Sequence, residues 1–254
     1  MTNFDLYRVD IRAGEGLAAL VATLAEHGFA LITGVSEADT LLRLARSLAT
    51  IVPHRDSAAN GITTIADLGT PGAGFLGFSS RELAPHTDRS SVDKPPGLLM
   101  MGCAQPAASG GQCVVVDGKA VYDDLAETAP DALHALSTPR SALFGGASGY
   151  LGSVFSRASS GRIAVRLRLD DLAQFSPEAT RFLPILRDAL SRHAMTYGLK
   201  TGEGYILHNH RWMHGRRAFL GQRVMYRING NPLPHIDIHS GFTPFRRVLP
   251  STAA

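Results

Sequence analysis

The sequence predicts a mainly β fold with flanking helices, of the distorted jelly-roll or double-stranded β-helix class. Helical patterns come first in the chain, short strand-like runs follow, and one helix pair interrupts those runs. The regular alternation of strand and helix that builds a doubly wound parallel sheet is missing. Short apolar runs bounded by glycine and proline are typical of buried jelly-roll strands.

The first fifty residues predict two helices and two strands. Residues 4–11 alternate in polarity and fit an edge strand. Residues 14–27 have apolar side chains at helical spacing, and Gly28 follows as a C-cap. The apolar run 29–34 fits a strand, and Ser36 is the expected N-cap of a second helix that ends near Ala49.

The middle of the chain combines an irregular segment with buried strands. Residues 54–85 are rich in Gly, Ser, Thr and Pro, which predicts irregular structure with short strands, a composition often found in lids. Residues 96–103 and 112–117 are apolar runs that fit buried strands. A helix is expected over 119–136, and two or three strands over 141–170.

The last third predicts one long helix and two strands. Ser176 and Pro177 fit the N-cap and first position of a helix that runs to about Met195. Strands are expected at 204–208 and 222–229, and coil from Asn231 onward.

Composition sets broad limits on function. With 254 residues, 44% hydrophobic and 19% charged, the chain fits a single globular domain over 1–254. No run is long enough for a membrane span, and the N-terminus lacks a secretory signal, so we expect a cytoplasmic protein. The net charge of +3 comes from dispersed residues, which argues against nucleic-acid binding and favours a small-molecule substrate. The sequence carries no signal about oligomeric state.

Histidines give the strongest chemical signal. His86 and Asp88 lie two residues apart, so on a strand both side chains point to one face. A histidine-rich run, 208–214, follows far downstream and can supply a third ligand from another strand. Two histidines and one carboxylate form the facial triad of non-haem Fe(II) oxygenases. His235 and His239 in the tail are expected at the surface.

The strand after this run carries two arginines. Strand alternation places Arg223, Met225 and Arg227 on one face. Burying a guanidinium group costs free energy unless an anion pairs with it. These arginines are therefore expected either to bind carboxylate ligands or to pair with Asp or Glu on neighbouring strands.

Four strings together resemble one family: GFSSRELAPHTDRSS (77–91), PPGLLMMGC (95–103), GGQCVVVDG (110–118) and HNHRWMHGRRAF with QRVMYRIN (208–229). They are similar to the taurine dioxygenase / TfdA-like oxygenases that depend on Fe(II) and 2-oxoglutarate, and to their clavaminate-synthase-like members. The resemblance covers roughly residues 20–232, which leaves a variable C-terminal tail. It implies Fe(II), 2-oxoglutarate and O2 as cofactors of a specialised-metabolism enzyme acting on an amino-acid-like metabolite.

The resemblance also implies roles by position. It makes His86, Asp88 and His214 the metal ligands, and Arg223 the residue that binds the distal carboxylate of 2-oxoglutarate. Arg227 corresponds to an arginine that meets an acidic substrate group in some relatives.

Other matched positions concern the pocket around the metal. Cys113 occupies the place where many members have a Thr that helps to hold 2-oxoglutarate. Phe78, Ser79 and Arg81 match the active-site loop and are candidate substrate contacts. Arg168 either meets a substrate carboxylate or pairs with Asp170 or Asp171, and Arg166 shares these alternatives. His208 and His210 are expected to pack rather than to bind metal.

The carboxylate at position 88 argues against halogenation, because related halogenases have a small residue there. Hydroxylation with release of succinate and CO2 is therefore the expected reaction, and desaturation or cyclisation stays open. The alternative is a cupin-type isomerase or hydrolase that uses the same three ligands without 2-oxoglutarate.

Overall fold

The computed structural model describes residues 4–69 and 75–245. Its helices are α1 (Gly16–His27), α2 (Ala38–Leu48), α3 (Gly118–Thr128), α4 (Pro130–Ser137), α5 (Pro177–Arg181) and α6 (Leu183–Arg192). Its strands are β1 (Arg8–Asp10), β2 (Phe29–Thr33), β3 (Ala49–Ile51), β4 (Thr63–Ile65), β5 (Leu83–His86), β6 (Leu98–Gln105), β7 (Ser109–Gly110), β8 (Cys113–Asp117), β9 (Ala142–Phe144), β10 (Tyr150–Gly152), β11 (Phe155–Arg157), β12 (Ile163–Val165), β13 (Ala173–Phe175), β14 (Ala194–Tyr197), β15 (Glu203–His208), β16 (Trp212–Arg216), β17 (Phe219–Leu220) and β18 (Val224–Pro232).

Two sheets form the frame. The large sheet has the order β1-β2-β15-β6-β18-β3, with β4 also paired to β18, and the small sheet has the order β14-β8-β16-β5. All pairings in these two sheets are antiparallel except β1 with β2. The crossovers between distant strands are those of a jelly roll, so the predicted fold class is confirmed.

Strand alternation divides the core into three layers. On β6, Leu98 and Met100 pack outward against α1 and α2, while Leu99 and Met101 face the interior between the sheets. The small sheet has α3–α6 on its other side, where Met213 packs. Because both faces of each sheet are covered, these strands are continuous apolar runs rather than alternating ones.

Two predicted helices are broken in the structure. The helix expected over 119–136 is α3 followed by α4, because Pro130 has no N–H to continue α3 and forces Ala129 out of the helical region, to φ −152°. The helix expected from Ser176 to Met195 divides at Phe182 for the same reason, with Pro184 in the first turn of α6. Met195 belongs to β14 instead.

Several boundaries also differ from expectation. The second helix is capped by Glu37 rather than Ser36, without a side-chain hydrogen bond. Residues 141–170 contain four strands, β9–β12, because Gly and Ser turns divide them more finely. β18 continues through Asn231 to Pro232 because its end pairs with β3, so coil begins later than predicted.

The edge strand expected over residues 4–11 is shorter: only Arg8–Asp10 pair with β2, and Phe4–Tyr7 form a 3₁₀ helix instead. Other expectations hold. Gly28 ends α1 in the left-handed conformation at φ 68°, and Ser176 caps α5 by accepting from the Ala179 N–H. Residues 54–85 are largely irregular where they are described, and 70–74 lie outside the described residues, as does the tail from 246. Within residues 4–69 and 75–245, no helix is long and apolar enough to cross a membrane.

Candidate active site

A cavity of ≈490 Å³ opens beside the small sheet. Its walls come from β5, β8, β16 and the start of β18, which are far apart in the sequence. The cavity brings together most of the predicted functional residues: His86, Asp88, Cys113, His214, Arg223 and Arg227.

Two histidines face each other across paired strands. His86 ends β5, His214 lies opposite it on β16, and their ring centroids are 4.3 Å apart. The backbone carbonyl of Ala84 lies 3.0 Å from His86 Nδ1, which orients the ring and leaves Nε2 available. Burial lowers the pKa of both imidazoles, most strongly that of His214, so both are neutral and have free nitrogen lone pairs for a metal.

Asp88 is the second residue after β5, and both its backbone and its carboxylate form hydrogen bonds. The Asn209 amide accepts a hydrogen bond from the Asp88 N–H at 2.7 Å and donates one to the Asp88 carbonyl at 2.9 Å. Asn229 Nδ2 donates to Asp88 Oδ2 at 2.8 Å, and Arg227 Nη1 lies 3.4 Å from Oδ1. Burial opposes ionisation of this carboxyl, but the charge of Arg227 and the Asn229 hydrogen bond favour it and hold the Asp88 pKa well below its usual range.

The three residues form a suitable donor set for a divalent cation. Two neutral imidazoles and one ionised carboxylate are the ligands of the facial triad. In the described part of the chain, no three His, Cys, Asp or Glu side chains already converge at metal-binding spacing. In this structure the two oxygens of the Asp88 carboxylate contact Arg227 and Asn229.

Arg223 is a buried cation at another part of the same cavity. It is 7% exposed and has no carboxylate within ion-pairing distance among the described residues. Its Nη2 lies 3.9 Å from Cys113 Sγ, and its guanidinium lies 5.8 Å from the Phe219 ring. Burial raises the pKa of the Cys113 thiol, so that group stays protonated and neutral. The arrangement favours binding of an anion at Arg223.

Arg227 presents unused hydrogen-bond donors beside the metal ligands. Its Nε and Nη2 atoms are buried without a partner in the described structure, while Nη1 contacts Asp88.

His54, which the sequence did not indicate as a site residue, also lines the cavity. Its Nδ1 accepts from the Asp56 N–H at 3.2 Å, and its pKa is lowered by burial and then by the charge of Arg227. The same Nδ1 lies 3.3 Å from Asp56 Oδ2.

Comparison with known proteins agrees with this geometry. The family "Taurine catabolism dioxygenase TauD, TfdA family" matches residues 2–229. The chain belongs to this family. The predicted resemblance is thus confirmed over nearly the whole chain. The prediction of Fe(II) and 2-oxoglutarate agrees with the contents of solved structures that share its fold.

Three such structures show the likeness of fold to the TauD/TfdA-family chain. The asparagine oxygenase AsnO has a TM-score of 0.70 at 15% identity, covering 89% of this chain and 93% of its own. The non-haem iron oxygenase OrfP, in complex with Fe and alpha-ketoglutaric acid, has a TM-score of 0.63 at 16% identity, covering 85% and 82%. PvcB, an Fe, alpha-ketoglutarate dependent oxygenase from an isonitrile synthetic pathway, has a TM-score of 0.63 at 18% identity, covering 87% and 81%.

Apart from Arg227, the predicted substrate residues of this TauD/TfdA-family chain fall into two groups. Phe78 and Arg168 line the cavity. Ser79 is buried, but its hydroxyl donates to the Leu76 carbonyl at 2.9 Å and its side chain is not part of the cavity wall. Arg81 is exposed and also lies outside the wall. Both residues were suggested by the match of their segment to the family's active-site loop, and they follow the 3₁₀ turn at 76–78.

Two arginines near the cavity have partners within the protein. Arg168 forms an ion pair with Asp170, one of the two alternatives that the sequence left open, and Arg168 Nε lies 2.7 Å from Asp170 Oδ1. Arg168 also borders the cavity. Arg166 donates to the carbonyls of Ser90 and Asp93 and stacks on Tyr150, so it holds a loop.

The other predicted histidines lie away from the cavity of this family member. His208 and His210 pack against each other outside the cavity wall, as predicted. His235 and His239 are at the surface. Sequence reasoning missed Asn209 because it lies between two histidines that drew attention to metal binding. It missed Arg216 because the partners of that residue are backbone carbonyls, which leave no sequence signal.

Proposed function

We propose that this protein is an Fe(II)- and 2-oxoglutarate-dependent hydroxylase of a small, amino-acid-like metabolite. One observation carries the proposal. A single cavity contains two neutral imidazoles, an ionised carboxylate and Arg223, a buried cation with no carboxylate partner among the described residues. A metal-dependent isomerase would use the first three groups and would have no need for Arg223.

The metal would be held by His86, Asp88 and His214. When bound, Fe(II) activates O2 for oxidation of an unactivated C–H bond, with conversion of 2-oxoglutarate to succinate and CO2. The protein keeps the two imidazoles neutral by burial and keeps Asp88 ionised by the charge of Arg227. The carboxylate at position 88 supports hydroxylation over halogenation, because it occupies the coordination position that a halide needs.

The co-substrate would be anchored by Arg223. A guanidinium pairs with a carboxylate through two parallel charged hydrogen bonds, which suits the distal carboxylate of 2-oxoglutarate. Cys113 lies against the same guanidinium and contributes a neutral thiol. Since a thiol is a weak donor, Arg223 provides most of the binding at this end.

The substrate would place a carboxylate on Arg227. The buried Nε and Nη2 atoms of Arg227 are two unpaired donors on one side of a guanidinium, which matches a carboxylate. His54 adds a polar imidazole to the same cavity, and Phe78 adds an apolar wall. Two proteins of similar fold bind hydroxylated amino acids, (3S)-hydroxy-L-Arg in OrfP and 2S,3S-3-hydroxyasparagine in an asparagine oxygenase. An L-amino acid or a close derivative is therefore the first substrate class to test.

The deciding experiment is an anaerobic titration with Fe(II) followed by 2-oxoglutarate. The expected result is a visible charge-transfer band that is lost in His214→Ala and needs much more 2-oxoglutarate in Arg223→Ala. Matched controls are His239→Ala and Arg162→Met, which change an exposed histidine and an arginine that binds the carbonyls of Ser240 and Gly241, remote from the cavity.

Substrate class is then tested by succinate release with each proteinogenic L-amino acid, and mass spectrometry of the products distinguishes a gain of oxygen from desaturation or cyclisation. Fe(II) binding without a band would contradict the use of 2-oxoglutarate and would favour a cupin-type isomerase or hydrolase.

A further inference from the structure

Among the described residues, the buried cation Arg216 donates hydrogen bonds to carbonyl oxygens and packs on an aromatic ring. It is 5% exposed, and Nη2 donates to the carbonyls of Ser79 and Arg81, both at 2.5 Å, and Leu76 at 3.4 Å. Nη1 donates to the Gly77 carbonyl at 3.3 Å. No carboxylate lies within ion-pairing distance of this guanidinium in the described part of the chain.

This arrangement needs the positive charge. Four carbonyl dipoles that converge on one point repel each other unless a cation lies between them. Burial, followed by the charge of Arg223, lowers the pKa of Arg216 to about 10, so the guanidinium is still charged at neutral pH. Phe219 contributes its ring face at 4.9 Å from the guanidinium carbon.

The segment whose carbonyls bind Arg216 forms part of the wall of the candidate active site. Residues 76–81, here called the lip segment, contribute Leu76, Gly77 and Phe78 to the cavity and lead directly into β5. Among the described residues, this segment is also tied by the Leu68 N–H to the Phe78 carbonyl, by the Phe219 N–H to the Ser80 carbonyl, and by hydrogen bonds of Ser80 to the Asp67 carboxylate. None of its residues has a partner in a regular sheet.

Arg216 also lies on the strand that carries a metal ligand. His214 precedes it by two residues on β16, and His86 follows the lip segment on β5. The side chain of Arg216 therefore links the strand of one imidazole to the chain that leads to the other. Its position fixes where the lip segment lies relative to both histidines.

We propose that Arg216 is a positioning residue for substrate, whose guanidinium sets the place of Phe78 by gathering the carbonyls of Leu76, Gly77, Ser79 and Arg81. This rests on the proposed function, because the lip segment then faces the substrate C–H bond. Loss of the clamp leaves the metal and 2-oxoglutarate groups in place but misplaces the substrate. Turnover of 2-oxoglutarate then becomes uncoupled from substrate oxidation.

The clamp itself is tested without any turnover. Amide hydrogen exchange is followed over residues 75–82 in the full-length wild type, Arg216→Met and Arg216→Lys, with Arg162→Met as the control for loss of an arginine that binds carbonyls elsewhere. We expect exchange in the lip segment to rise by about tenfold or more in Arg216→Met, because its held amides open more often. Lysine keeps the charge but not the planar fork, so Arg216→Lys should be intermediate.

The functional consequence is measured as a ratio. The same variants are assayed with Fe(II), 2-oxoglutarate and the L-amino acid that most stimulates succinate release in the wild type. We expect the charge-transfer band to remain, and the amount of product formed per succinate to fall about fivefold or more in Arg216→Met, to a lesser extent in Arg216→Lys, and not at all in Arg162→Met. A general loss of stability would lower product and succinate together and leave this ratio unchanged.

Two results would overturn the proposal. One is wild-type exchange in residues 75–82 together with a wild-type product ratio in Arg216→Met. The other is faster exchange spread over the whole small sheet, with product and succinate falling together in Arg216→Lys, since that pattern indicates a folding role only. Absence of the charge-transfer band in the wild type would contradict the proposed function instead, and the exchange experiment would still decide whether the clamp exists.

Discussion

Arg227 Nη1 lies 3.4 Å from Asp88 Oδ1, and both side chains are buried. The arginine proposed to receive substrate is therefore also the counter-charge of a candidate metal ligand. The Arg227 guanidinium is the first of the influences that favour ionisation of Asp88 against its burial. Metal binding and the state of the substrate site are coupled through this pair.

Replacing Arg227 should destabilise the protein in a way that a metal ion partly reverses. Arg227→Met leaves a buried carboxylate without its cation, and we expect the free energy of unfolding to fall by about 3 kcal/mol. A divalent cation then replaces the missing charge, so Mn(II) should raise the unfolding temperature of the variant more than that of the wild type. Thermal unfolding with and without Mn(II) measures both effects. Equal increments in the two proteins would mean that Arg227 and the metal do not share Asp88.

Asn209 should control metal affinity although it is not a ligand. Its amide binds both the N–H and the carbonyl of Asp88, and it is fully buried. Asn209→Ala removes both bonds, and we expect Mn(II) or Fe(II) affinity to fall by about 10- to 100-fold. Isothermal titration measures the affinity. Asn231→Ala is the matched control, because it removes an amide that binds the Gly97 N–H instead. An unchanged affinity in Asn209→Ala would show that β5 alone places Asp88.

The sequence predicts the parts of this site that depend on side-chain type better than the parts that depend on backbone contacts. The HxD pair and the distal His214 are readable because a ligand set has a fixed composition and a strand has a fixed two-residue period. Arg223 and Arg227 can be predicted as binding residues because a buried charge is costly unless an opposite charge binds it. These five positions all line one cavity in the structure.

Contacts with backbone groups cannot be predicted from residue types in the same way. Arg216 binds carbonyls, and every residue has one, so no residue type marks its partners. Ser79 and Arg81 were expected at the substrate because of their place in the chain, but the clamp uses their carbonyls and not their side chains. By contrast, the breaks at Pro130 and Pro184 follow from a missing N–H and were open to prediction from residue type alone.

Gly215 should be intolerant of any side chain. A Cβ at this position would lie 2.5 Å from the Leu83 carbonyl oxygen and 3.0 Å from the Pro85 nitrogen, both backbone atoms of β5. The pairing of β16 with β5 is irregular at this point, and the close approach keeps His86 opposite His214. We expect Gly215→Ala to lower the free energy of unfolding by about 3 kcal/mol and to abolish the charge-transfer band.

Gly198→Ala is the matched control for this substitution, since a Cβ there meets no atom within 4 Å. Chemical denaturation measures stability, and the anaerobic titration measures the band. A stable Gly215→Ala protein that still forms the band would show that β5 can move away without separating the two imidazoles.

Cys113 limits the binding of 2-oxoglutarate if Arg223 anchors the co-substrate. The thiol contacts Arg223 and is kept neutral by burial, which makes it a poor hydrogen-bond donor to a carboxylate. In Cys113→Thr the hydroxyl can donate at the same position, and we expect 2-oxoglutarate to bind about three- to tenfold more tightly. The dissociation constant from the charge-transfer titration measures this change. Cys103→Thr is the control, because Cys103 is buried in the interior between the sheets but does not line the cavity. Equal effects of the two substitutions would point to altered packing, and a weaker affinity in Cys113→Thr alone would place the distal carboxylate away from Cys113.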